Sequence, residues 1–283
     1  MEDPNVEAIA DLFGISTAAE PAPSGRVGRN ADESRMLGDS ALTEGRYTEA
    51  LDHFRRALDQ NPKDRKKAML DLAEAFAYGD DEPQALKQYR KAQREFGAAG
   101  EEGVADLYKR FGRFSEAGEE LKAAIAREPE NPLYRQKMSE TLRDAGYPRA
   151  ALKEAEAVIA LAPDSSHAHF VVGELNLRLK DWQSAIDAYR AAIELSPGDD
   201  YLYLRTAVAF VRAGRLPEAI KAIRLASDLE PEKAIYHGVL YELLLANGDE
   251  EGADLEADQT EKMDRYDRDV LERTLRDMAL TPL

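Results

Sequence analysis

Four segments of the chain repeat one pattern at a constant interval: AGEELKAAIAREP at 117–129, ALKEAEAVIALAP at 151–163, AIDAYRAAIELSP at 185–197 and AIKAIRLASDLEP at 219–231. Each segment begins with alanine and ends with proline, and each starts 34 residues after the previous one. A core position with helical spacing lies between the two ends and holds Leu121, Ala155, Tyr189 and Ile223. A fixed period of this length predicts stacked pairs of helices, because one pair is too small to bury its apolar face alone.

The same pattern extends beyond these four copies in both directions. A first repeat covers about residues 31–64 and a second about 66–97; repeats three to six start near Ala98, Pro132, Ser166 and Asp200, and a seventh begins at Ala234. The matching alanines are 35 residues apart between Ala50 and Ala85 but 32 apart between Ala85 and Ala117, which indicates a register slip. Glycines at 97, 100 and 103 lower the helix propensity there. We therefore expect a bend or a loosened interface near residues 96–103.

Composition restricts the classes of function that the chain can have. Strand signals are absent and Ala, Leu, Glu, Lys and Arg dominate, so the predicted class is all-α. The chain carries 38 basic and 55 acidic residues, a net charge of −17, and such a surface repels phosphate backbones. We therefore expect protein partners and no nucleic acid. The absence of cysteine excludes disulfides, zinc–thiolate sites and cysteine nucleophiles.

The two ends of the chain lie outside the repeats. In residues 1–30, Val6, Ile9 and Phe13 share one face of a short predicted helix, and a flexible linker follows it. In residues 266–283, a helix from about Asp267 to Ala279 is expected to cap the open end of the last repeat. The N-terminus is acidic where a signal peptide is basic, and no apolar run approaches membrane-spanning length. The expectation is a soluble, cytoplasmic protein that does not contact a membrane.

These features resemble the tetratricopeptide repeat family, in which the first helix carries Leu-Gly and Tyr and the second carries Ala, Phe, Ala and Pro. The matching residues are Leu37-Gly38, Val172-Gly173 and Tyr108 for the first helix, and Ala185, Tyr189, Ala192 and Pro197 for the second. The resemblance covers about residues 31–265, or about six and a half repeats. It implies a right-handed superhelical solenoid of helix-turn-helix repeats, with a concave groove where segments of partner proteins lie.

An acidic column follows the first helices of the repeats. Its members stand at the ninth position of each unit: Asp39, Glu74, Asp106, Glu140, Glu174, Val208 and Glu242, six acids in seven. In the proteins that this array resembles, that position lines the groove, so the column would receive a basic or amine-presenting segment. The alternative is a solvated face, because an arginine follows Asp106 and Glu174 four residues later and Glu140 three residues later.

The later repeats add apolar and basic candidates for the groove. These are Phe170, Val171, Tyr201, Leu204 and Val239, with Arg178, Arg205 and Arg212 among them. Exposed aromatic and aliphatic side chains next to arginine are typical of binding hot spots. The alternative is packing between neighbouring repeats, which we favour for Val171 and Val239. For Phe170, Tyr201 and Leu204 both interpretations stay open.

No motif points to catalysis, a metal or a cofactor. His167 and His169 are two residues apart on a predicted helix and point to nearly opposite sides, so they cannot chelate one ion. Some tetratricopeptide co-chaperones hold a C-terminal carboxylate with lysine and asparagine at the fifth and ninth positions of a repeat. Here the corresponding pairs are Arg35/Asp39, Gln136/Glu140 and Phe170/Glu174, which place acids where asparagine is needed. The sequence therefore argues against a site that holds a C-terminal carboxylate in this way.

The sequence therefore predicts a non-catalytic scaffold or adaptor that holds a basic or amphipathic segment of another protein in its groove. Two alternatives stay open. One is self-assembly, in which the N-terminal helix of one copy docks in the groove of the next. The other is an enzyme, or an accessory subunit of an enzyme complex, whose site is not visible in the sequence.

Overall fold

A computed structural model describes residues 28–260 and 263–280, and all the regular structure in these ranges is helical. The helices are α1 Ala31–Thr43, α2 Tyr47–Asp59, α3 Arg65–Tyr78, α4 Glu82–Phe96, α5 Ala98–Arg110, α6 Phe114–Arg127, α7 Pro132–Asp144, α8 Pro148–Leu161, α9 Ser166–Leu179, α10 Trp182–Leu195, α11 Asp200–Arg212, α12 Leu216–Leu229, α13 Ala234–Ala246, α14 Glu250–Thr260 and α15 Arg265–Met278. The all-α class is confirmed. The predicted N-terminal helix with Val6, Ile9 and Phe13 lies outside the described residues.

Neighbouring helices pack in sequence order, as the period predicts. The strongest pairings join α1 to α2, α3 to α4, α7 to α8, α9 to α10, α11 to α12 and α13 to α14. The second helix of one pair then packs on the first helix of the next, as α8 does on α9 and α10 on α11. The helix pairs joined in this way complete their apolar cores with one another, which is the basis of a repeat fold.

The chain divides into two compact units, with the boundary between Gly103 and Val104. The first unit contains α1 to α4 and the start of α5, and its core includes Phe54, Leu72 and Phe76. The second unit contains the rest of the chain, and one core cluster in it joins residues of α11, α12, α13, α14 and α15.

The first helix of each pair ends in a turn whose position the sequence predicts. The predicted turn glycines at 112, 146 and 214 have φ of 71°, 84° and 73°, values that glycine adopts without steric cost. Lys180 replaces the glycine in the fifth repeat and adopts the same left-handed conformation, with φ of 65°. The next residue, Asp181, caps α10 by accepting a hydrogen bond from the backbone N–H of Ser184 at 3.2 Å.

The glycines near residue 100 have a different role from the predicted one. Gly97, with φ of 62°, ends α4, and α5 begins at the next residue. A Cβ at Gly100 would lie 2.1 Å from the backbone nitrogen of Gln93, and a Cβ at Gly103 would lie 2.3 Å from the ring of Tyr89. Both glycines therefore let the start of α5 lie directly against α4, where the sequence had suggested a loosened interface. The boundary between the two units nevertheless falls at this segment.

The last helix packs differently from a simple end cap. It was predicted from about Asp267 to Ala279 and runs from Arg265 to Met278, opened by a reciprocal capping box between Asp264 and Asp267. Its contacts are with α13 and α11, the first helices of the last two pairs. A glycine makes room for it, because a Cβ at Gly238 of α13 would lie 2.5 Å from Met263 and 3.0 Å from Leu271. The helix α15 therefore lies over α11 and α13.

Candidate protein-binding face

The first helices of the second unit lie side by side, and polar contacts join each to the next. Lys137 of α7 pairs with Asp106 of α5 at 2.5 Å, and Lys109 of α5 pairs with Glu140 of α7 at 3.3 Å. Arg178 of α9 donates to the backbone carbonyl of residue 143 in α7 at 3.4 Å. We call the surface formed by α5, α7, α9, α11 and α13 the first-helix face; residues 104–110 are the part of α5 that belongs to this unit.

The predicted acidic column lies largely on this face, but neighbouring repeats already neutralise part of it. Asp106, Glu140 and Glu174 each bind a lysine or arginine from an adjacent first helix. The partner of Glu174 is Arg205 of α11, not Arg178 four residues later as the spacing had suggested. Val208 is fully buried. In the other repeats, Asp39 of the first unit is exposed, while Glu74 and Glu242 have polar or electrostatic partners of their own.

A partly buried ionic network joins α9, α10, α11 and α15. Both carboxylate oxygens of Glu174 accept from Arg205, at 2.7 Å from Nε and 3.0 Å from Nη2, which is the bidentate geometry that arginine favours. The Tyr189 hydroxyl donates to Glu174 at 2.5 Å, and Arg205 Nη1 donates to Asp277 of α15 at 3.0 Å. Burial and the negative charge of Glu174 raise the pKa of Tyr189 well above its ordinary value. The hydroxyl therefore remains a donor throughout the physiological pH range.

The apolar candidates separate into core and surface. Leu204 is only 5% exposed and belongs to the core cluster of α11 to α13, so its prediction as a groove contact is corrected. Val239 is fully buried and Val171 packs against the core around Val172, in line with the packing interpretation. Phe170 is half-buried, whereas Tyr201 is 48% exposed.

Three ring side chains form an aromatic patch, defined here as His167, Phe170 and Tyr201. The ring centroid of Phe170 lies 5.9 Å from that of Tyr201 and 6.2 Å from that of His167, distances typical of interacting rings. Phe170 also contacts the buried ring of Tyr189 at 6.0 Å, which connects the patch to the ionic network. Partial burial raises the pKa of Tyr201 above its ordinary value. The patch is thus a partly exposed aromatic surface that contacts the core through Phe170.

A polar cleft of about 380 Å³ lies where α9, the turn after it, α11 and α15 meet. Its lining residues are Glu174, Leu177, Arg178, Lys180, Trp182, Arg205, Arg212, Arg276 and Asp277. Of these, the sequence predicted Glu174, Arg178, Arg205 and Arg212 as groove residues. Trp182, Arg276 and Asp277 were not among the candidates. No periodic signal places α15 beside α9, because α15 lies outside the repeat.

Two of the histidines contact backbone carbonyls of the preceding turn. His169 Nε2 lies 3.0 Å from the carbonyl oxygen of Pro163, and His237 Nε2 lies 3.0 Å from that of Pro231. Among residues 28–260 and 263–280, no three His, Cys, Asp or Glu side chains are grouped so that they could hold a metal ion. Over the same ranges, every helix is too short or too polar to cross a bilayer.

Comparison with known proteins agrees with this geometry. One tetratricopeptide repeat model matches residues 35–100 and 137–200, and a second matches residues 176–243. The chain belongs to the tetratricopeptide repeat family, which confirms the resemblance seen in the sequence. The family and the fold together define a protein-interaction scaffold.

Two curated relatives match short parts of the chain. A TPR repeat-containing protein of Picosynechococcus sp. (strain ATCC 27264 / PCC 7002 / PR-6) is 36% identical over 77 residues, 27% of this chain and 20% of the relative. The photosystem I assembly protein Ycf3 of Synechococcus sp. (strain CC9605) is 31% identical over 91 residues, 31% of this chain and 53% of the relative. The chain therefore spans about a fifth and about half of the lengths of these two relatives.

Two solved structures show the same fold at low sequence identity. MamA from Desulfovibrio magneticus RS-1 matches 62% of this chain and 96% of its own, with a TM-score of 0.53 and 24% identity. A tetratricopeptide repeat protein from Parabacteroides merdae ATCC 43184 matches 89% of this chain and 100% of its own, with a TM-score of 0.54 and 17% identity. These similarities support the repeat fold and do not identify a partner.

Proposed function

We propose that the protein is a non-catalytic scaffold that holds a segment of a partner protein on the first-helix face of its second unit. The observation that carries this proposal is the exposure of Tyr201. Its ring contacts Phe170, which packs against a buried core cluster, and stays 48% exposed. A large aromatic side chain that is rigidly supported and open to solvent is typical of a binding hot spot, because it offers contact area at a low entropic cost.

The surroundings of the patch favour an amphipathic segment with basic side chains. Its apolar residues would cover Phe170 and Tyr201. Its basic residues would be attracted by the net charge of −17 and by carboxylates that keep solvent access on this face. Asp106, for example, retains 47% exposure of its side chain although it pairs with Lys137. The exposed Asp39 offers a similar charge on the first unit.

Site-specific crosslinking tests this proposal with a matched control. A photoreactive amino acid would replace Tyr201 in one sample and Leu225 in another; Leu225 lies on a second helix and is 49% exposed. A partner that crosslinks from position 201 and not from 225 is the expected result. The peptide identified at the crosslink should be amphipathic and basic.

Affinity measurements with that partner complete the test. Tyr201→Ala should weaken binding by about tenfold or more, since hot-spot truncations cost roughly 2 kcal/mol or more. Leu225→Ala should leave the affinity near the wild-type value. Equal crosslinking from both positions, or equal affinity of both variants, would reject the first-helix face as the binding surface.

Self-assembly through the N-terminal segment stays an alternative proposal. The full chain with Ile9→Asp and Phe13→Asp would be compared with the unchanged chain by light scattering at high concentration. A lower mass for the double variant would support docking between copies, and equal masses would reject it. The cytoplasmic location is likewise part of the proposal and can be tested by cell fractionation.

A further inference from the structure

The cleft beside α15 has a local charge opposite to that of the whole chain. Its walls hold five basic side chains, at 178, 180, 205, 212 and 276, and two acids, Glu174 and Asp277. Both acids are bound to Arg205. The cleft therefore has an excess of positive charge on a chain whose net charge is −17.

The remaining four cations are not neutralised by carboxylates in the described parts of the chain. Arg178 donates to a backbone carbonyl, and the Arg212 guanidinium lies 4.9 Å from the centre of the Trp182 ring, in cation–π geometry. No acidic side chain among residues 28–260 and 263–280 lies in ion-pair contact with Arg178, Lys180, Arg212 or Arg276. The adjacent carboxylate, Asp181, is used to cap α10 and accepts from the N–H and the hydroxyl of Ser184.

Each element holds its part of the cleft in place. Lys180 stands on the left-handed turn that connects α9 to α10. Arg276 is brought to the cleft by α15, which Asp277 fastens to Arg205. The cations thus come from α9, from the turn after it, from α11 and from α15.

We propose that this cleft binds an oxyanion, a carboxylate or phosphate group carried by an acidic peptide segment. Guanidinium groups suit such ligands because their paired N–H donors match two oxygens of a carboxylate or phosphate. The cleft lies on α9 and α11 of the first-helix face, but it is lined by other residues than the aromatic patch and prefers the opposite charge. The inference goes beyond the proposed function and does not depend on it.

The cleft contains a natural fluorescent probe. Trp182 lines the cleft and is the single tryptophan of the chain. A ligand that engages Arg212 or fills the cleft should change the fluorescence of this ring. The full-length protein would be titrated at low ionic strength with hexaglutamate, a phosphoserine peptide, inorganic phosphate and hexalysine.

Matched charge variants make the result specific. Arg178→Gln with Arg276→Gln removes two cleft cations and leaves Arg212 on the reporter ring. Arg190→Gln with Arg224→Gln removes two exposed charges from second helices outside the cleft. Circular dichroism would establish that both double variants fold.

The expected result is saturable binding of hexaglutamate or the phosphoserine peptide, and of inorganic phosphate more weakly. The cleft variant should lose about tenfold or more in affinity, because it lacks two guanidinium groups that would donate charge-assisted hydrogen bonds to the ligand. The control variant should stay close to wild type. Binding of inorganic phosphate alone, preference for hexalysine, absence of saturable binding or an equal loss in both variants would each overturn the proposal.

Discussion

At the scale of single residues, the fold depends on matching a small side chain with a large one across each helix pair. Gly38 faces the ring of Phe54, and Gly173 faces the ring of Tyr189, sixteen residues later in both cases. An added Cβ would lie 2.6 Å from the first ring and 2.4 Å from the second. Glycine is required there because the aromatic ring of the second helix occupies the space that a Cβ would need.

This matching predicts a compensating pair of substitutions. Gly38→Ala should destabilise the protein by about 1–3 kcal/mol through overpacking. Phe54→Leu removes the ring atoms that the new Cβ would meet, so the double variant should be more stable than the sum of the two single changes predicts. Urea unfolding of the four proteins measures the coupling.

A glycine without such a neighbour serves as the control. Gly118 lies inside α6, and an added Cβ there would meet no atom within 4 Å. Gly118→Ala should therefore stabilise by about 0.5–1 kcal/mol, because alanine has the higher helix propensity. Additive free energies for Gly38→Ala and Phe54→Leu would contradict the proposed packing.

The sequence predicts such positions well where they follow the period and poorly where they do not. The alanines at 151, 185 and 219 recur every 34 residues, and all three are fully buried. Gly100 is different, because a low helix propensity is visible in the sequence but the backbone of Gln93 beside it is not. Gly100 therefore looks like a weak point in the sequence, whereas in the structure it is a close contact between two helices.

At the scale of the helices, three acids of the acidic column join neighbouring first helices, namely Asp106, Glu140 and Glu174. Two of its acids, Asp106 and Glu174, bind a cation 31 residues later, Lys137 and Arg205. The sequence predicts the column but not these partners, since pairing within one helix at i+4 accounts for the same residues equally well. The choice between pairing within one helix and pairing between helices depends on how close adjacent first helices lie, and only the structure shows that distance.

This distinction predicts unequal effects of two similar substitutions. Glu174→Gln removes the charge opposite Arg205, whose side chain is 11% exposed, and should lower the free energy of unfolding by about 1–3 kcal/mol. Glu140→Gln affects a more open pair, with side chains 26% and 31% exposed, and should change it by at most about 1 kcal/mol. Urea unfolding at neutral pH compares them. Equal losses would mean that the Glu174 network does not stabilise the unit.

A second contact between first helices gives a prediction about acid stability. Burial of Asp200 opposes its ionisation, but the hydrogen bonds from Lys233 and Tyr236 outweigh that effect and lower the pKa of Asp200. A lowered pKa in the folded state stabilises the fold above the ordinary aspartate value of about 3.9, and this stabilisation is lost as the pH falls through the folded value.

Asp200→Asn should therefore weaken the dependence of stability on pH in the acid range. The variant should be less stable than wild type near pH 7, and the difference should shrink below about pH 4. Asp187→Asn, at a side chain that is 53% exposed, provides the control. Urea midpoints measured from pH 7 down to pH 3 test this, and parallel curves for wild type and Asp200→Asn would refute it.

The position of α15 could not be predicted from its amphipathic pattern. The pattern shows which side is apolar but not which helices it covers, so an end cap was expected. Gly238 leaves room for the actual position, because the ends of the Met263 and Leu271 side chains occupy the space beside it.

Filling that space should release α15 selectively. Gly238→Leu should accelerate amide exchange in residues 265–278 by about tenfold or more, as expected for an overpacking cost of roughly 1–3 kcal/mol. Gly118→Leu changes a glycine with free space beside it and should leave α15 protected. Unchanged exchange in α15 of the Gly238 variant would show that this glycine does not determine the docking.

At the scale of the whole molecule, the succession of helix pairs limits how far a local change can spread. The chain divides into two units after Gly103, and within each unit helix pairs pack on their neighbours in sequence. In such arrays stability is approximately a sum of repeat terms and nearest-neighbour terms. A large loss in one repeat should therefore remain near that repeat, in contrast to a globular domain that unfolds as one unit.

Phe54→Ala tests this locality, because Phe54 is 1% exposed in the core of the first unit and its truncation should cost about 3–5 kcal/mol. Amide exchange should accelerate strongly over α1 to α4 and stay near the wild-type rate in α13. Ile223→Ala, at a fully buried position of the second unit, should give the reverse pattern, with protection lost around α11 to α13 and kept in α2. If either substitution accelerates exchange uniformly from α1 to α15, the molecule unfolds in one cooperative step and nearest-neighbour coupling is not what limits its stability.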